Sequence, residues 1–476
     1  MELDEDLLAR QEARALARQA AAAQKILETM SQDKLDAIVE AAAAAFSKEA
    51  AALAQQAVDE TGFGNTPDKT AKNRFASETV AQAIRGMKTV GLLRENREQD
   101  IWEIGVPVGV IAAVVPSTNP TSTVCYKTLI ALKSGNAILF SPHPKALKST
   151  IAAAKIVAAA ARAAGAPAGA VGCLSIPSLQ GCQELMTAPE VKLILATGGP
   201  GMVKAAYSSG KPAIGVGAGN GPAYIHRSAD VRQAISHILR SKTFDNGTVC
   251  ASEQSIIVEK GLEETVLREA KNQGFYLMTE EEAKRLAKLL FKPNGALNPD
   301  VVGRTAIHLA QMAGFSVPEG TKILLARERE AGPSVPYSME KLCPVLALYV
   351  MDSEDAVLDK VVEVLTHEGS GHTFAMHCKD EAVIRKFAEK VPVSRFLVNT
   401  PAALGGIGKT TGLFPALTLG CGAVGGSSSS NNISPLDLIN IRRVAWGTES
   451  TRTPDVNISG DLVELLTRKI LERLDG

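Results

Sequence analysis

The run Val106-Pro-Val-Gly-Val-Ile-Ala-Ala-Val-Val115 is almost entirely apolar, and Pro116-Ser-Thr-Asn-Pro120 ends it abruptly. A continuous apolar run of this kind is typical of a strand that is buried on both faces of a parallel sheet. Residues 121–132 then have the pattern of a helix, residues 136–140 that of a second buried strand, and residues 148–164 that of another helix. Alternating strands and helices predict a doubly wound α/β domain.

The same alternation continues along the chain. Leu193 to Ala196 has the pattern of a short strand, and a glycine-rich turn follows it. Residues 255–400 repeat the order of strands and helices, which predicts a second α/β domain of similar build. Residues 5–59 are rich in alanine and leucine with charges at helical intervals, and they predict two or three helices.

Composition narrows the classes of protein. A chain of 476 residues is too long for one core, so we expect two or three domains. The 51 basic residues balance the 51 acidic ones, which argues against nucleic acid or a membrane surface as a partner. The acidic N-terminus does not resemble a signal peptide, and no apolar run reaches the roughly 18 residues of a membrane span. These features predict a cytoplasmic protein.

The cysteines argue against a disulfide framework and against bound metal. Seven cysteines are scattered along the chain with no CxxC pair among them. Cys250 stands out because Lys242-Thr-Phe-Asp-Asn-Gly-Thr-Val-Cys-Ala-Ser-Glu253 is a small, polar, turn-forming segment that leads into a predicted strand at residues 254–258. A thiol presented there can act as a nucleophile, provided that its pKa falls below the usual value of about 8.5. A structural loop cysteine is the alternative.

Three further loops could bind ligands. Thr197-Gly198-Gly199 opens a predicted helix and suits a dinucleotide phosphate, although it lacks the GxGxxG pattern and could be an ordinary turn. Gly215-Val-Gly217-Ala-Gly-Asn220 allows close approach to a ligand, or marks a bend between domains. Thr118 and Asn119 lie at the carboxyl end of the first predicted strand, where they could donate to an oxyanion or simply shape the turn.

These segments together resemble the aldehyde dehydrogenase superfamily, and specifically its CoA-acylating branch, which includes the aldehyde half of bifunctional aldehyde-alcohol dehydrogenases. The resemblance covers roughly residues 10–446. Its most specific segments are Pro116–Thr123, Phe140–Pro144, Ala196–Gly219 and Phe244–Glu253.

The resemblance implies an aldehyde dehydrogenase fold, with two doubly wound α/β domains and a β-flap that pairs subunits into a homodimer or homotetramer. We expect a cofactor-binding domain over 1–243 with a flap segment at about 98–106, a catalytic domain over 244–425, and a return segment and flap over 426–446.

The resemblance also implies roles for single residues. Cys250 is the expected nucleophile, and Glu340 the expected contact of the nicotinamide ribose. His372 is expected near the thiol as a catalytic residue. Thr118 or Asn119 is expected to hold the oxyanion, since Thr118 occupies the family's asparagine position and Asn119 follows it. The expected cofactor-binding residues are Ser141 and His143 at the adenosine end, Thr197, Gly198 and Gly199 near the pyrophosphate, and Gly217.

One departure bears on the reaction. Hydrolytic members of the superfamily carry a glutamate at the start of the loop equivalent to 215–219, and this loop has no acid. A thioester without a base for water is left for another nucleophile, which supports coenzyme A. We therefore predict an NAD-dependent, CoA-acylating enzyme for propionaldehyde or acetaldehyde. NAD is preferred to NADP because only His143 and Lys145 are basic around residues 141–144.

Three alternatives stay open: an acylating dehydrogenase for a charged aldehyde such as succinic semialdehyde or sulfoacetaldehyde, a fermentative acetaldehyde dehydrogenase outside any compartment, and a catalytically idle structural protein.

The C-terminal segment differs from the rest of the chain. Residues 447–460 have the composition of a linker, and residues 461–476 that of a short amphipathic helix. The pair resembles the encapsulation peptides of bacterial microcompartments, so we expect residues 461–474 to bind shell or cargo proteins. The alternative is a helix that packs on the enzyme or on a sister subunit.

Overall fold

The structure, a computed structural model, describes residues 4–447 and 460–474, apart from the side chains of Pro200 and Asp461. Helices surround three separate β-sheets. The helices are α1 (Glu5–Leu27), α2 (Gln32–Lys48), α3 (Ala50–Thr61), α4 (Thr66–Arg74), α5 (Ala81–Ile84), α6 (Pro120–Lys133), α7 (Leu147–Ala163), α8 (Leu179–Thr187), α9 (Pro200–Tyr207), α10 (Val231–Thr243), α11 (Glu263–Asn272), α12 (Glu280–Leu290), α13 (Ala306–Met312), α14 (Glu354–His367), α15 (Glu381–Ala388), α16 (Ala402–Gly406) and α17 (Gly460–Leu474). The strands are β1 (Gly91–Asn96), β2 (Ile101–Pro107), β3 (Val110–Val114), β4 (Ile138–Ser141), β5 (Val171–Cys173), β6 (Val191–Thr197), β7 (Ala213–Val216), β8 (Gly221–Ile225), β9 (Glu253–Glu259), β10 (Phe275–Leu277), β11 (Ile323–Arg327), β12 (Val345–Met351), β13 (Gly371–His377), β14 (Val393–Val398) and β15 (Ile439–Ala445).

The first sheet is parallel throughout, in the order β5-β4-β3-β6-β7. The chain leaves β3 toward β4 and β5 on one side, and later adds β6 and β7 on the other. The strand order therefore reverses between β3 and β6, which is where open α/β sheets bind ligands. Every residue of β3 and of α6 is buried. In β3 the sequence signal for this burial was a continuous run of apolar side chains.

The second sheet is also parallel, in the order β10-β11-β12-β9-β8-β13-β14. Together the two sheets confirm the predicted doubly wound α/β class. The boundary predicted at residue 243 differs from sheet membership, because β8 pairs with β9 and β13 of the second sheet. By strand pairing the division falls in the glycine-rich segment between β7 and β8, where the chain crosses from one sheet to the other.

A third, antiparallel sheet in the order β1-β2-β15 forms the flap. The apolar run at residues 106–115, which predicted one strand, is divided between two sheets. β2 ends at Pro107 and β3 begins at Val110, because Gly109 between them has a φ of +118° that a residue with a side chain rarely adopts. The flap also contains β1, which lies outside the predicted flap interval of 98–106.

The C-terminal helix is confirmed as α17. The predicted linker over 447–460 lies outside the described residues except at its two ends. In the part of the chain that the structure describes, no helix is long and apolar enough to cross a membrane.

The serine-rich segment 425–432 is held by hydrogen bonds. The hydroxyls of Ser427 and Ser428 donate to the carbonyls of Gly215 and Ala213 at 2.9 and 2.6 Å. These two serines fix the segment against β7, at the edge of the crossing between the sheets. The buried guanidinium of Arg395 donates through Nη1 to the carbonyl of Ser430 within the segment at 3.4 Å, and through Nη2 to that of Gly420 at 2.6 Å.

Replacement of Arg395 tests this anchoring. We expect Arg395→Met to lower the free energy of unfolding by about 3 kcal/mol, since it leaves buried carbonyl groups without donors. Urea denaturation of the purified protein measures the change. The matched control is Arg97→Met, at a side chain that is 91% exposed, where we expect a change within about 0.5 kcal/mol. Equal midpoints for both variants would contradict the anchoring role.

Candidate active site

A cavity of about 490 Å³ lies at the carboxyl ends of β3 and β6, at the point where the strand order reverses. The segment that precedes β9 closes it from the side of the second sheet. Sequence-predicted residues on its wall are Thr118, Asn119, His143, Thr197, Gly198, Gly199, Gly217, Cys250 and Glu340. The structure thus brings together loops that are far apart in the sequence.

An unusual turn presents Cys250 to this cavity. Asp245, Asn246 and Gly247 have φ values of 49°, 53° and 79°, in the left-handed region that Asn and Asp enter more readily than most residues. Side-chain contacts hold the turn: Asn246 Nδ2 donates to the carbonyl of Gly303 at 2.9 Å. The partly buried thiol follows the turn directly, before β9 begins.

The thiol of Cys250 is not activated by the residues around it. Burial raises its pKa to about 12, and the carboxyl group of Glu340 adds to the rise, while Arg395 opposes it. A nucleophilic thiol at neutral pH requires a lowered pKa, whereas the described residues raise the pKa of Cys250. The thiolate therefore needs a further positive charge or a base that arrives with a ligand.

Glu340 is held by two hydrogen bonds at the cavity wall. Its Oε1 accepts from the backbone N–H of Gly219 at 2.9 Å, and its own N–H donates to Oε2 of Glu368 at 2.6 Å. Burial raises the pKa of Glu340 to about 7, and the charge of Glu368 adds to the effect. The group can therefore change protonation near neutral pH.

His372 lies behind the cavity wall rather than on it. A Cβ added at Gly219 would lie 2.1 Å from the carbonyl oxygen of Cys250 and 2.9 Å from Cε1 of His372, so the ring adjoins the Cys250 backbone through Gly219. Burial, with Arg395 nearby, lowers the pKa of His372 well below its ordinary value. Its Nε2 has no hydrogen-bond partner among the described residues. Its catalytic role stays a prediction.

The expected phosphate contacts lie together on the wall. Thr197 ends β6, and its buried Oγ1 has no partner within the described chain. Gly198 and Gly199 precede α9, and an added Cβ at Gly199 or Gly217 would meet nothing within 4 Å. An unpaired hydroxyl, open space and the N-terminus of a helix fit a dinucleotide phosphate.

The two residues expected at the adenosine end differ in placement. His143 is exposed on the cavity wall, where its Nδ1 accepts from the backbone N–H of Lys145 at 3.1 Å. Ser141 is 5% exposed at the end of β4 and is not part of the wall.

A buried ion cluster that reaches the cavity wall through Lys72 had not been predicted from the sequence. Nζ of Lys69 lies 2.9 Å from Oδ2 of Asp245, and Nζ of Lys72 donates to the same oxygen and to Oδ1 of Asn119. All three charged side chains are at most 3% exposed. The only signal in the sequence was the i, i+3 spacing of the lysines on α4, which does not identify a partner 173 residues away.

Many of the other side chains on the wall are apolar, among them Val249, Val302, Leu342, Ile407, Leu417 and Leu419. Lys72, Ser117, Thr123, Lys145 and Thr248 also line it. Within residues 4–447 and 460–474, no group of three or more His, Cys, Asp or Glu side chains is arranged to hold a metal ion.

Comparisons with known proteins agree on one family. Residues 6–281 match the profile of the aldehyde dehydrogenase family. The chain is 46% identical to the bifunctional aldehyde-alcohol dehydrogenase of Escherichia coli over 445 residues, which cover 92% of this chain and 50% of that protein. It therefore spans about half the length of the aldehyde-alcohol dehydrogenases that it matches. It is 35% identical to the acetylating succinate-semialdehyde dehydrogenase of Clostridium kluyveri, over 92% of this chain and 96% of that protein.

Solved structures of similar proteins superpose closely. An acetylating aldehyde dehydrogenase from Geobacillus thermoglucosidasius is 48% identical with a TM-score of 0.92, covering 94% of this chain and 99% of that one. A propionaldehyde dehydrogenase from the fucose utilisation microcompartment of Clostridium phytofermentans is 29% identical with a TM-score of 0.82, covering 90% and 96%.

The pKa of Glu340 predicts a pH-dependent stability. The folded protein binds this proton up to about pH 7, whereas an ordinary glutamate loses it near 4.5, so the contribution of Glu340 to stability falls as the pH rises through that window. We expect the free energy of unfolding of Glu340→Gln to exceed that of the parent by about 1 to 2 kcal/mol at alkaline pH. Near pH 4.5 we expect little difference between the two proteins. Urea denaturation across this range measures it.

Glu281→Gln is the matched control, because Glu281 lies on the surface beside Lys284 and has a lowered pKa. We expect it to change stability by less than about 0.5 kcal/mol at any pH. A Glu340→Gln effect that is constant from acid to alkaline pH would show that Glu340 does not bind a proton in this window.

Proposed function

Because the chain belongs to the aldehyde dehydrogenase family, we propose that it oxidises a short aliphatic aldehyde, propionaldehyde or acetaldehyde, to its acyl-CoA with NAD as the oxidant. The observation that carries the proposal is the position of Cys250. Its thiol adjoins the predicted phosphate loop at Thr197 and the acid-free segment between β7 and β8, all on one cavity wall.

The reaction proceeds through sulfur. Sγ of Cys250 bonds to the aldehyde carbon, and the carbonyl oxygen becomes an oxyanion that the donors near Thr118 stabilise. Loss of hydride from the same carbon leaves a thioester on Cys250. The thiolate of CoA then bonds to the acyl carbon, the bond to Sγ breaks, and Cys250 regains its proton.

The chain's own residues fit the two cosubstrates. Thr197 Oγ1 and the N–H groups before α9 suit a pyrophosphate, and Glu340 can accept from a ribose hydroxyl. Oxidised NAD, when bound, supplies the hydride acceptor and a positive ring charge of the kind that the raised pKa of Cys250 requires. NADP is the alternative that the same assays compare.

The segment between β7 and β8 has no acid, so the glutamate with which hydrolytic members activate water is missing. Glu340 is the acid among the described residues of the wall, and its Oε1 is engaged by Gly219. The apolar side chains on the same cavity wall, such as Val249, Leu417 and Leu419, further disfavour a bound water. These features support transfer to CoA rather than hydrolysis.

The cavity also bears on the choice of aldehyde. Lys72 is the buried cation on the wall, and Asp245, Asn119 and Thr248 fill its three donor positions. A carboxylate or sulfonate on the substrate would have to displace one of them. This favours an uncharged aldehyde over succinic semialdehyde, the substrate in the name of the Clostridium kluyveri relative.

The decisive assay measures NADH formation from propionaldehyde and NAD, with and without CoA, and detects propionyl-CoA by mass. We expect turnover that depends on CoA, and at least about a 10⁴-fold loss for Cys250→Ala, since the nucleophile is gone. Cys173→Ala is the matched control at a partly buried thiol remote from the cavity, with activity unchanged. Turnover that yields the free acid without CoA would contradict the acylating function.

The assembly is part of the same proposal. The flap exposes Trp102, Ile441 and Val444, each about 40% exposed, which suits contact with a second subunit in a homodimer or homotetramer. The apolar residues of α17 are 42 to 75% exposed. A microcompartment shell or cargo protein is the partner we propose for them, in line with the compartment named for the Clostridium phytofermentans enzyme.

Removal of residues 448–476 tests the role of α17. We expect kcat and the oligomeric state to be unchanged and co-purification with compartment shells to be lost, because the apolar face of α17 is gone. Leu466→Glu with Ile470→Glu should reproduce the loss, and the matched pair Glu464→Gln with Lys469→Gln on the charged positions should not. Retained shell binding would contradict targeting, and a changed oligomeric state would indicate packing between subunits.

A further inference from the structure

We propose that Lys72 is a positioning residue that fixes and polarises the oxyanion donors, and that Thr118 rather than Asn119 donates the side-chain hydrogen bond to the oxyanion. The inference rests on the proposed chemistry at Cys250, but it assigns atoms that the resemblance to a family left open. It is carried by the hydrogen bonds of three side chains.

The orientation of the Asn119 amide is fixed by its two neighbours, Lys72 and Thr248. An ammonium group only donates hydrogen bonds, so the atom that faces Nζ of Lys72 must be the carbonyl oxygen Oδ1. The carbonyl of Thr248 only accepts, and it lies 3.3 Å from the other amide atom, which must therefore be Nδ2. The two neighbours fix the same orientation independently.

The Asn119 amide has two hydrogens to donate. One hydrogen of Nδ2 goes to the carbonyl of Thr248, and the other goes to Oγ1 of Thr118 at 3.1 Å. Both amide hydrogens are then committed within the protein. Asn119 could reach an oxyanion only by giving up one of these bonds.

The hydroxyl of Thr118 has one hydrogen to donate. Oγ1 already accepts from Asn119, so its own hydrogen is directed away from that amide. Thr118 lines the same cavity as Cys250, and no described residue accepts a hydrogen bond from its hydroxyl. The Thr118 hydroxyl is therefore the donor available to an oxygen that forms on the carbon bonded to Cys250.

These contacts form a chain from the Lys72 ammonium through the Asn119 amide to the Thr118 hydroxyl. Each donor in such a chain polarises the next, and a charged first member strengthens the series. Asp245 and Thr248 hold Lys72 in place, and Lys69 holds the backbone carbonyl of Thr118 at 2.8 Å. The cluster thereby fixes both ends of the chain.

The test uses a reaction that forms an oxyanion on Cys250 without NAD or CoA. It is run at one alkaline pH for all variants, because the raised pKa of the resting thiol leaves little thiolate at neutral pH. The burst of p-nitrophenolate from p-nitrophenyl acetate measures acylation of the thiol. We expect Thr118→Val to slow the burst by about 100-fold or more, the loss typical of one oxyanion donor, and Thr118→Ser to retain most of the rate. Iodoacetamide alkylation forms no oxyanion, so Thr118→Val should leave its rate unchanged.

Lys72 is tested through its coupling to Thr118. We expect Lys72→Met to slow the burst by about tenfold, and the double variant with Thr118→Val to be little slower than Thr118→Val alone, because the two act in series. Lys69→Met is the matched control: it removes a lysine from the same aspartate, yet the Asn119 side chain keeps its ammonium partner. Its burst should fall less than that of Lys72→Met.

The outcomes separate the two proposals. A normal burst in Thr118→Val would overturn the assignment of the donor, and strictly additive losses in the double variant would overturn the role of Lys72. If Lys72→Met does not fold, Asn119→Ala takes its place in the comparison of single and double variants. It interrupts the same series of hydrogen bonds, between Lys72 and Thr118. Absence of CoA-dependent aldehyde oxidation in the parent would remove the proposed function and leave the burst comparisons valid.

Discussion

The carboxylate of Asp245 joins three parts of the molecule that the sequence keeps far apart. It accepts hydrogen bonds from Lys69 and Lys72 of α4 and from the backbone N–H of Asn65 at the start of that helix, and it begins the left-handed turn before Cys250. Through the two lysines it also reaches Thr118 and Asn119 at the end of β3. The N-terminal helices, the first sheet and the segment that carries Cys250 are therefore connected through one buried acid.

Such a cluster is costly, since removing each ion from water costs several kcal/mol before the mutual attraction compensates. The left-handed residues Asp245 and Asn246 add about 1 to 3 kcal/mol of backbone strain each. A core built for stability alone would use apolar side chains here. These unfavourable free-energy terms all arise next to one cavity. The buried parallel sheets around it contribute the stability that compensates for them.

Patterns that reflect local physics predicted most of the fold. Buried strands such as β3 and β4 were evident because burial on both faces of a parallel sheet requires apolar side chains. The division of residues 106–115 was missed, since a strand that changes sheets at Gly109 keeps one unbroken apolar pattern. The site shows the same division: Cys250 and Thr197 lie in recognisable turns, whereas Lys69, Lys72 and Asp245 look like surface charges until tertiary structure places them together. Pairing between residues 173 apart leaves no local signal.

The charge balance of the site has a chemical consequence. In the proposed reaction the charge of Lys72 reaches the oxyanion through two neutral donors, the Asn119 amide and the Thr118 hydroxyl, while the ammonium itself stays saturated by protein acceptors. An ammonium facing the thiol directly would lower its pKa in the empty enzyme and leave a reactive thiolate open to oxidation. Here burial and Glu340 raise the pKa of Cys250 in the empty enzyme, and in the proposed reaction the same lysine assists the oxyanion once it forms. Because Lys72 lies behind two neutral donors, it does not lower the pKa of the resting thiol. In the proposed reaction it still stabilises the oxyanion through those donors.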